Sequence, residues 1–163
     1  MRKDELATFV DYMYWVNGRL LDAASNLTVD QLAAPSNHTT RDLRATLVHE
    51  LDVEWSWRLN IQGKLDMALE DLNPDDFADL AAIRERWTRD EAEMRAWIDG
   101  LTDADVEAEV PSELSRDRRP RWQYVMHIVL HGAQQQADAA TLLTRTGHSP
   151  GEIGWGEFLR ERG

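Results

Sequence analysis

The chain has 163 residues, 30 of them acidic against 18 basic, for a net charge of −12, and it contains no cysteine. This length fits a single domain with a sizeable core, and the acidic balance argues against nucleic acid and anionic membrane as partners, because phosphate binding depends on clustered Lys and Arg. The absence of cysteine removes disulfides, thiolate ligands and cysteine nucleophiles, so a metal must sit on imidazole, carboxylate or amide oxygen and a reacting thiol must come with a substrate.

No run of about 18 apolar residues is present. The opening stretch MRKDELATFVDYMYW lacks the apolar region and cleavage site of a signal peptide. The expected location is therefore the cytoplasm. Hydrophobic spacing predicts four long helices and no convincing set of strands.

The first helix, about 3–25, aligns Leu6, Phe9, Met13, Val16 and Leu20, and beside that stripe Asn17 reads as a satisfied interior amide. In the linker at about 26–39, Thr28 to Gln31 has capping-box spacing and predicts one helical turn. The second helix, about 40–62, starts at Thr39 or Thr40, stacks Leu43, Leu47, Leu51, Trp55 and Leu59, and ends at Gly63. The connection 63–73 is long enough to cross a bundle. Asn73–Pro74 is expected to start a third helix reaching about Leu101, with Leu80, Ile83, Trp87, Met94 and Trp97 inward.

Residues 102–119 form a second long connection, of the kind that often borders a functional end. It closes on Arg116, Arg118, Arg119 and Arg121, which read as a solvated loop pairing with nearby acids or as a contact for a carboxylate or phosphate. The fourth helix spans about Pro120 to Thr146 and stops at Gly147. Ser149, Pro150 and Glu152 then have the pattern of a helix start, with Trp155 in the short tail that follows. Seven tryptophans mostly fall at core spacing, and Ser149, His38 and His148 need no catalytic role. The expected architecture is an all-α four-helix bundle, one domain over 1–163, with a short C-terminal helical tail.

On the fourth helix, His127, His131 and Gln135 stand at successive spacings of four, and Asp138 extends the row. Two histidines at i and i+4 can grip one divalent ion when another element supplies a ligand. His49 on the second helix is the natural supplier, with Glu50 and Glu54 beside it. The bland alternative is a set of buried imidazoles hydrogen-bonded to Gln and Asp.

The stretches FVDYMYWVNGRLLDAASNLT, TTRDLRATLVHELDVEWSW and WQYVMHIVLHGAQQQADAATLLTRTGHSPGEIGW resemble the DinB/YfiT-like superfamily of bacterial four-helix bundles, and most closely its subgroup with a C-terminal HSPG turn. The resemblance spans nearly the whole chain. It implies an up-down-down-up helix order, frequent homodimers, and in many members one Zn or Ni ion held by three histidines. Those ligands fall on His49, His131 and position 135, while His127 matches a histidine beside the site. Position 135 is Gln here, a poorer partner than imidazole for such ions. Gln135 therefore completes a weakened site, or His127 shifts onto the metal, or the metal is lost and the cavity kept. Asp138 stands where the family's acid does, beside the site.

Three functions follow as expectations. One is a divalent-metal-dependent enzyme, a hydrolase or an S-transferase using a low-molecular-weight thiol, with Glu50, Glu54 or Asp138 as its base. Another is a metal-free bundle that binds a small ligand, within a stress response for example. The last is a homodimer acting through its surface.

Overall fold

The computed structural model describes residues 1–68 and 70–163; Leu69, in the connection after the second long helix, lies outside them. The elements are α1 (Lys3–Ala23), α2 (Val29–Leu32), α3 (Leu43–Ile61), α4 (Leu80–Asp99), α5 (Asp103–Glu107), β1 (Glu109–Ser112), β2 (Asp117–Pro120), α6 (Arg121–Arg145) and α7 (Trp155–Arg162). The four long helices are α1, α3, α4 and α6. No helix among the described residues is long and apolar enough to cross a membrane.

Pairings between side chains fix the order as up-down-down-up. Gln136 on α6 reaches Met13 and Asn17 on α1 while a Cβ on Gly132 would meet Met13, so α1 and α6 run parallel. His49 meets His131 and Trp57 meets His127, so α3 runs against α6. Glu54 pairs with Trp87 and Arg58 with Asp90, so α3 and α4 are parallel. Parallel neighbours need a connection that travels back the full helix length, about 30 Å for twenty residues. On that return Leu72 and Asp75 lie along α3: Asp52 accepts from the Leu72 amide at 2.8 Å and Arg44 pairs with Asp75 at 2.7 Å.

Local chemistry sets the ends. Asp42, not Thr39 or Thr40, caps α3, its carboxylate accepting from the Ala45 amide at 2.7 Å; the Thr39 hydroxyl instead donates to the Arg41 carbonyl. Such a cap contributes about 1 kcal/mol. Gly63 and Gly147 take positive φ of 70° and 83° and close α3 and α6 with paired reverse bonds: Lys64 to Leu59 and Gly63 to Asn60, then His148 to Leu143 and Gly147 to Thr144. The capping box at Thr28 and Gln31 forms as its spacing predicts.

Three expectations are corrected. Asn73–Pro74 opens a single 3-10 turn, and α4 begins only at Leu80, because the Asp79 side chain accepts from the Ala82 amide at 2.9 Å. The connection at 102–119 holds α5 and an antiparallel hairpin pairing Glu109 with Pro120 through Ser112 with Asp117; these short charged strands carry no alternating pattern to announce them. Ser149 accepts from the Gly151 amide in a turn rather than capping a helix, since Gly151 has φ 74° and α7 starts only after Gly154.

Leu6, Val16, Leu20, Leu47, Leu51, Ile83 and Leu143 form the sealed core. The tail helix α7 docks on α1 by stacking Trp155 on Phe9, with ring centres 5.2 Å apart, and by setting Phe158 against Tyr12 and Trp15. Trp155 is thus a packing residue. The arginine run is tied down locally: Arg119 pairs with Asp117 at 2.6 Å, while Arg118 and Arg121 donate to the Glu109 and Asp105 carbonyls.

Candidate functional site

His49 lies two turns into α3 and His131 midway along α6, on facing flanks of an antiparallel helix pair. Their rings stand edge to face with centres 5.0 Å apart. Two imidazoles ligating a common ion at ~2.0–2.1 Å have ring centres roughly 4.5–5.5 Å apart. The spacing of the two rings falls within that range.

His127, one turn earlier on α6, is exposed, and its ring lies 6.2 Å from that of His131 but only 4.3 Å from the Trp57 ring. It is held by the indole beside the pair. Gln135, one turn after His131, is 9% exposed and makes no hydrogen bond to a described residue, so its amide is uncommitted. Asp138 is half-buried, a further turn along, and does not bond either imidazole. The structure thus joins His49 and His131, flanks them with His127 and Gln135, and leaves Asp138 apart.

Electrostatics keep the rings neutral. Burial, His49, His127 and Arg41 together pull His131 down to about 4. Burial and then Arg41 lower His49, against a small opposing pull from Asp71, and burial lowers His127. Neutral imidazoles at pH 7 offer their lone pairs without first losing a proton. Nδ1 of His131 is fully buried without a partner. The alternative of imidazoles hydrogen-bonded to Gln135 and Asp138 is therefore not what forms.

The donor set fits a divalent ion in part. Two imidazoles are in place and the neighbouring donor is a neutral amide. Among the described residues no group of three or more His, Cys, Asp or Glu side chains is arranged to hold an ion. Glu50 and Glu54 do not join the imidazoles. The turn of α3 sends them to the bundle axis, where both are sealed from solvent.

There they anchor an interior polar network that the sequence only partly announced. Glu54 accepts from Asn17 Nδ2 and from Trp87 Nε1, each at 2.9 Å, so Asn17 is the satisfied amide its position predicts. Gln136 donates to Glu50 Oε1 at 2.9 Å and to Asn17 Oδ1 at 2.6 Å, while Glu50 Oε2 has no partner. Burial pushes the Glu50 carboxyl well above its ordinary range, and burial raises Glu54 to about 8 against the pull of its hydrogen bonds. One layer further, buried Arg58 pairs with Asp90 at 3.1 Å and Glu93 at 2.7 Å. Gln136 was the residue missed: its neighbours His131 and Gln135 suggested a ligand row, and only its 100° offset around the helix separates it from them.

A four-helix bundle in up-down-down-up order, with an imidazole pair spanning its second and fourth long helices, defines the class of this molecule. The profile of the DinB family matches residues 1–161, and the chain belongs to that family. Among solved structures it is similar to YfiT from Bacillus subtilis, described as a probable metal-dependent hydrolase with an unusual four-helix bundle topology; the two share 18% identity over 90% of each chain, with a TM-score of 0.58. None of the curated proteins compared matches it.

Proposed function

We propose that this chain binds one divalent transition ion, Zn or Ni, through His49 and His131, with Gln135 as third donor or as holder of a bound water, and that it acts on a small molecule as a hydrolase or as an S-transferase using a low-molecular-weight thiol. The observation that carries this reading is the 5.0 Å separation of the two rings. It is supported by their neutrality at pH 7 and by the description of YfiT as a probable metal-dependent hydrolase.

A divalent ion bound here would lower the pKa of a water or thiol on it, supplying a nucleophile at neutral pH. The chain's own contribution is positional. The Trp57 ring fixes His127 beside the pair. Gln135, whose amide oxygen is a poorer donor than an imidazole nitrogen, leaves the site weaker than three imidazoles would. Glu50 and Glu54 are sealed inside and take no part in proton transfer with a substrate.

Titration of chelator-treated protein with Zn and Ni, followed calorimetrically, tests the proposal. One equivalent should bind, and His49→Ala or His131→Ala should abolish binding without unfolding the chain. A protein that takes up neither ion at saturating concentration refutes it.

One observation favours a second reading, a metal-free bundle that binds a small ligand: the donor beside the imidazole pair is an amide, and no triad of stronger ligands surrounds them among the described residues. In that case ligand-dependent thermal stabilisation would be unchanged by chelator, whereas turnover in the first reading would be lost.

A further inference from the structure

Five positions of α6 fall on one face: His131, Gln135, Asp138, Leu142 and Arg145, at offsets of 4, 7, 11 and 14 from the first. The first two belong to the site already described. The last two line a separate cleft of about 250 Å³, closed on its other side by the linker between α1 and α3.

We propose that this cleft binds a small amphipathic monocarboxylate, its apolar body against Leu27, Leu43 and Leu142 and its carboxylate on Arg145. The cleft is a second site, separate from the imidazole pair, and binding there needs no metal.

Size comes first. At the ~30 Å³ share of a water-sized group, 250 Å³ accommodates roughly eight to ten non-hydrogen atoms, below the usual range for drug-sized ligands. Chemistry comes second. Leu43 is buried and Leu27 and Leu142 are half-buried, so one wall is apolar, while Gln31, Ser36 and Asn37 give the linker side its polar groups. Arg145 stands at the rim and forms no ion pair with a described residue, although most arginines of this acidic chain are paired. A guanidinium selects a carboxylate by planar, two-pronged donation. The net charge of −12 disfavours a dianion such as a phosphate monoester more than a monoanion.

Position comes third. Arg145 stands fourteen residues after His131 on α6, about 21 Å along the helix axis, so the cleft is a site apart from the imidazole pair.

Sodium octanoate, 1-octanol and octylamine titrated calorimetrically into chelator-treated protein provide the test. Octanoate should bind with one site and the other two more weakly. Arg145→Gln should weaken octanoate by about tenfold while leaving 1-octanol and the melting temperature unchanged. Leu142→Glu, which places a charge in the cleft, should abolish octanoate binding. Octanoate that fails to bind, or that binds equally to wild type and to Arg145→Gln, overturns the proposal. Zn titration of Arg145→Gln separates the two readings: the ion site should be intact there, so loss of the carboxylate site and loss of the metal site are read independently.

Discussion

The Glu50 carboxylate occupies the space that a side chain at Gly132 would need: a Cβ there would lie 3.1 Å from Glu50 Oε1 and 3.5 Å from Met13. Glycine inside a helix ordinarily costs about 1 kcal/mol relative to alanine. Here the approach of a carboxylate held by Gln136 outweighs that cost. Gly132→Ala should therefore lower the melting temperature instead of raising it, which a thermal melt followed by circular dichroism will read.

The buried carboxyls give stability a distinctive pH slope. Glu54 has a folded pKa of about 8 against an ordinary 4.5, so the folded chain holds a proton that the unfolded chain releases, and stability falls as pH rises toward 8. His131, depressed to about 4, acts oppositely, but only below its ordinary 6.5. Between pH 6.5 and 8 the carboxyl effect stands alone, and urea unfolding should lose roughly 1–2 kcal/mol. Glu50→Gln keeps the acceptor for Gln136 and should flatten part of this slope; stability that rises across the window would contradict the assignment.

Arg41 bears on both imidazoles with a positive charge. That charge opposes a bound dication as it opposes a proton. Arg41→Gln is expected to tighten Zn binding several-fold at low salt and by less at high salt, where screening already weakens the repulsion. Equal affinities at both ionic strengths would remove Arg41 from the site.

Gln135→His restores an imidazole one turn after His131. If the amide is what weakens the site, Zn and Ni affinity should rise by more than about tenfold, because imidazole is the better donor for both ions. An unchanged affinity would mean that position 135 does not reach the ion.

Phe158 is the buried residue of α7 and packs on Tyr12, Trp15 and Trp155. Phe158→Ala should cost about 3 kcal/mol in urea unfolding and increase proteolysis after Gly154. Metal titration should be unaffected, since the tail contacts α1 and not the imidazole pair.

The four long helices were legible because each carries an apolar stripe over five or more turns, and Gly63 and Gly147 stop two of them as their chemistry requires. Starts were harder to read. Several residues competed for each cap, and Asp42 and Asp79 prevailed over Thr39 and Asn73 through contacts that spacing does not rank. The hairpin at 109–120 has no hydrophobic alternation and stayed hidden. In the site, the spacing of His127, His131 and Gln135 placed the row on one helix, and His49 was the natural partner from the second helix, a choice that family likeness reinforced. That Glu50 and Gln136 both turn inward depends on rotation about their helix axes, which one residue of offset decides.

The order of the helices has a consequence for how the protein matures. Half of the imidazole pair lies on α3 and half on α6, and the amide that engages Glu50 comes from α6 too. A nascent chain emerging from the ribosome therefore carries an incomplete grip for any ion, and an interior acid without its donor, until its final third is synthesised. Uptake of the proposed ion then depends on α6, and a chain halted before residue 131 lacks half of the pair.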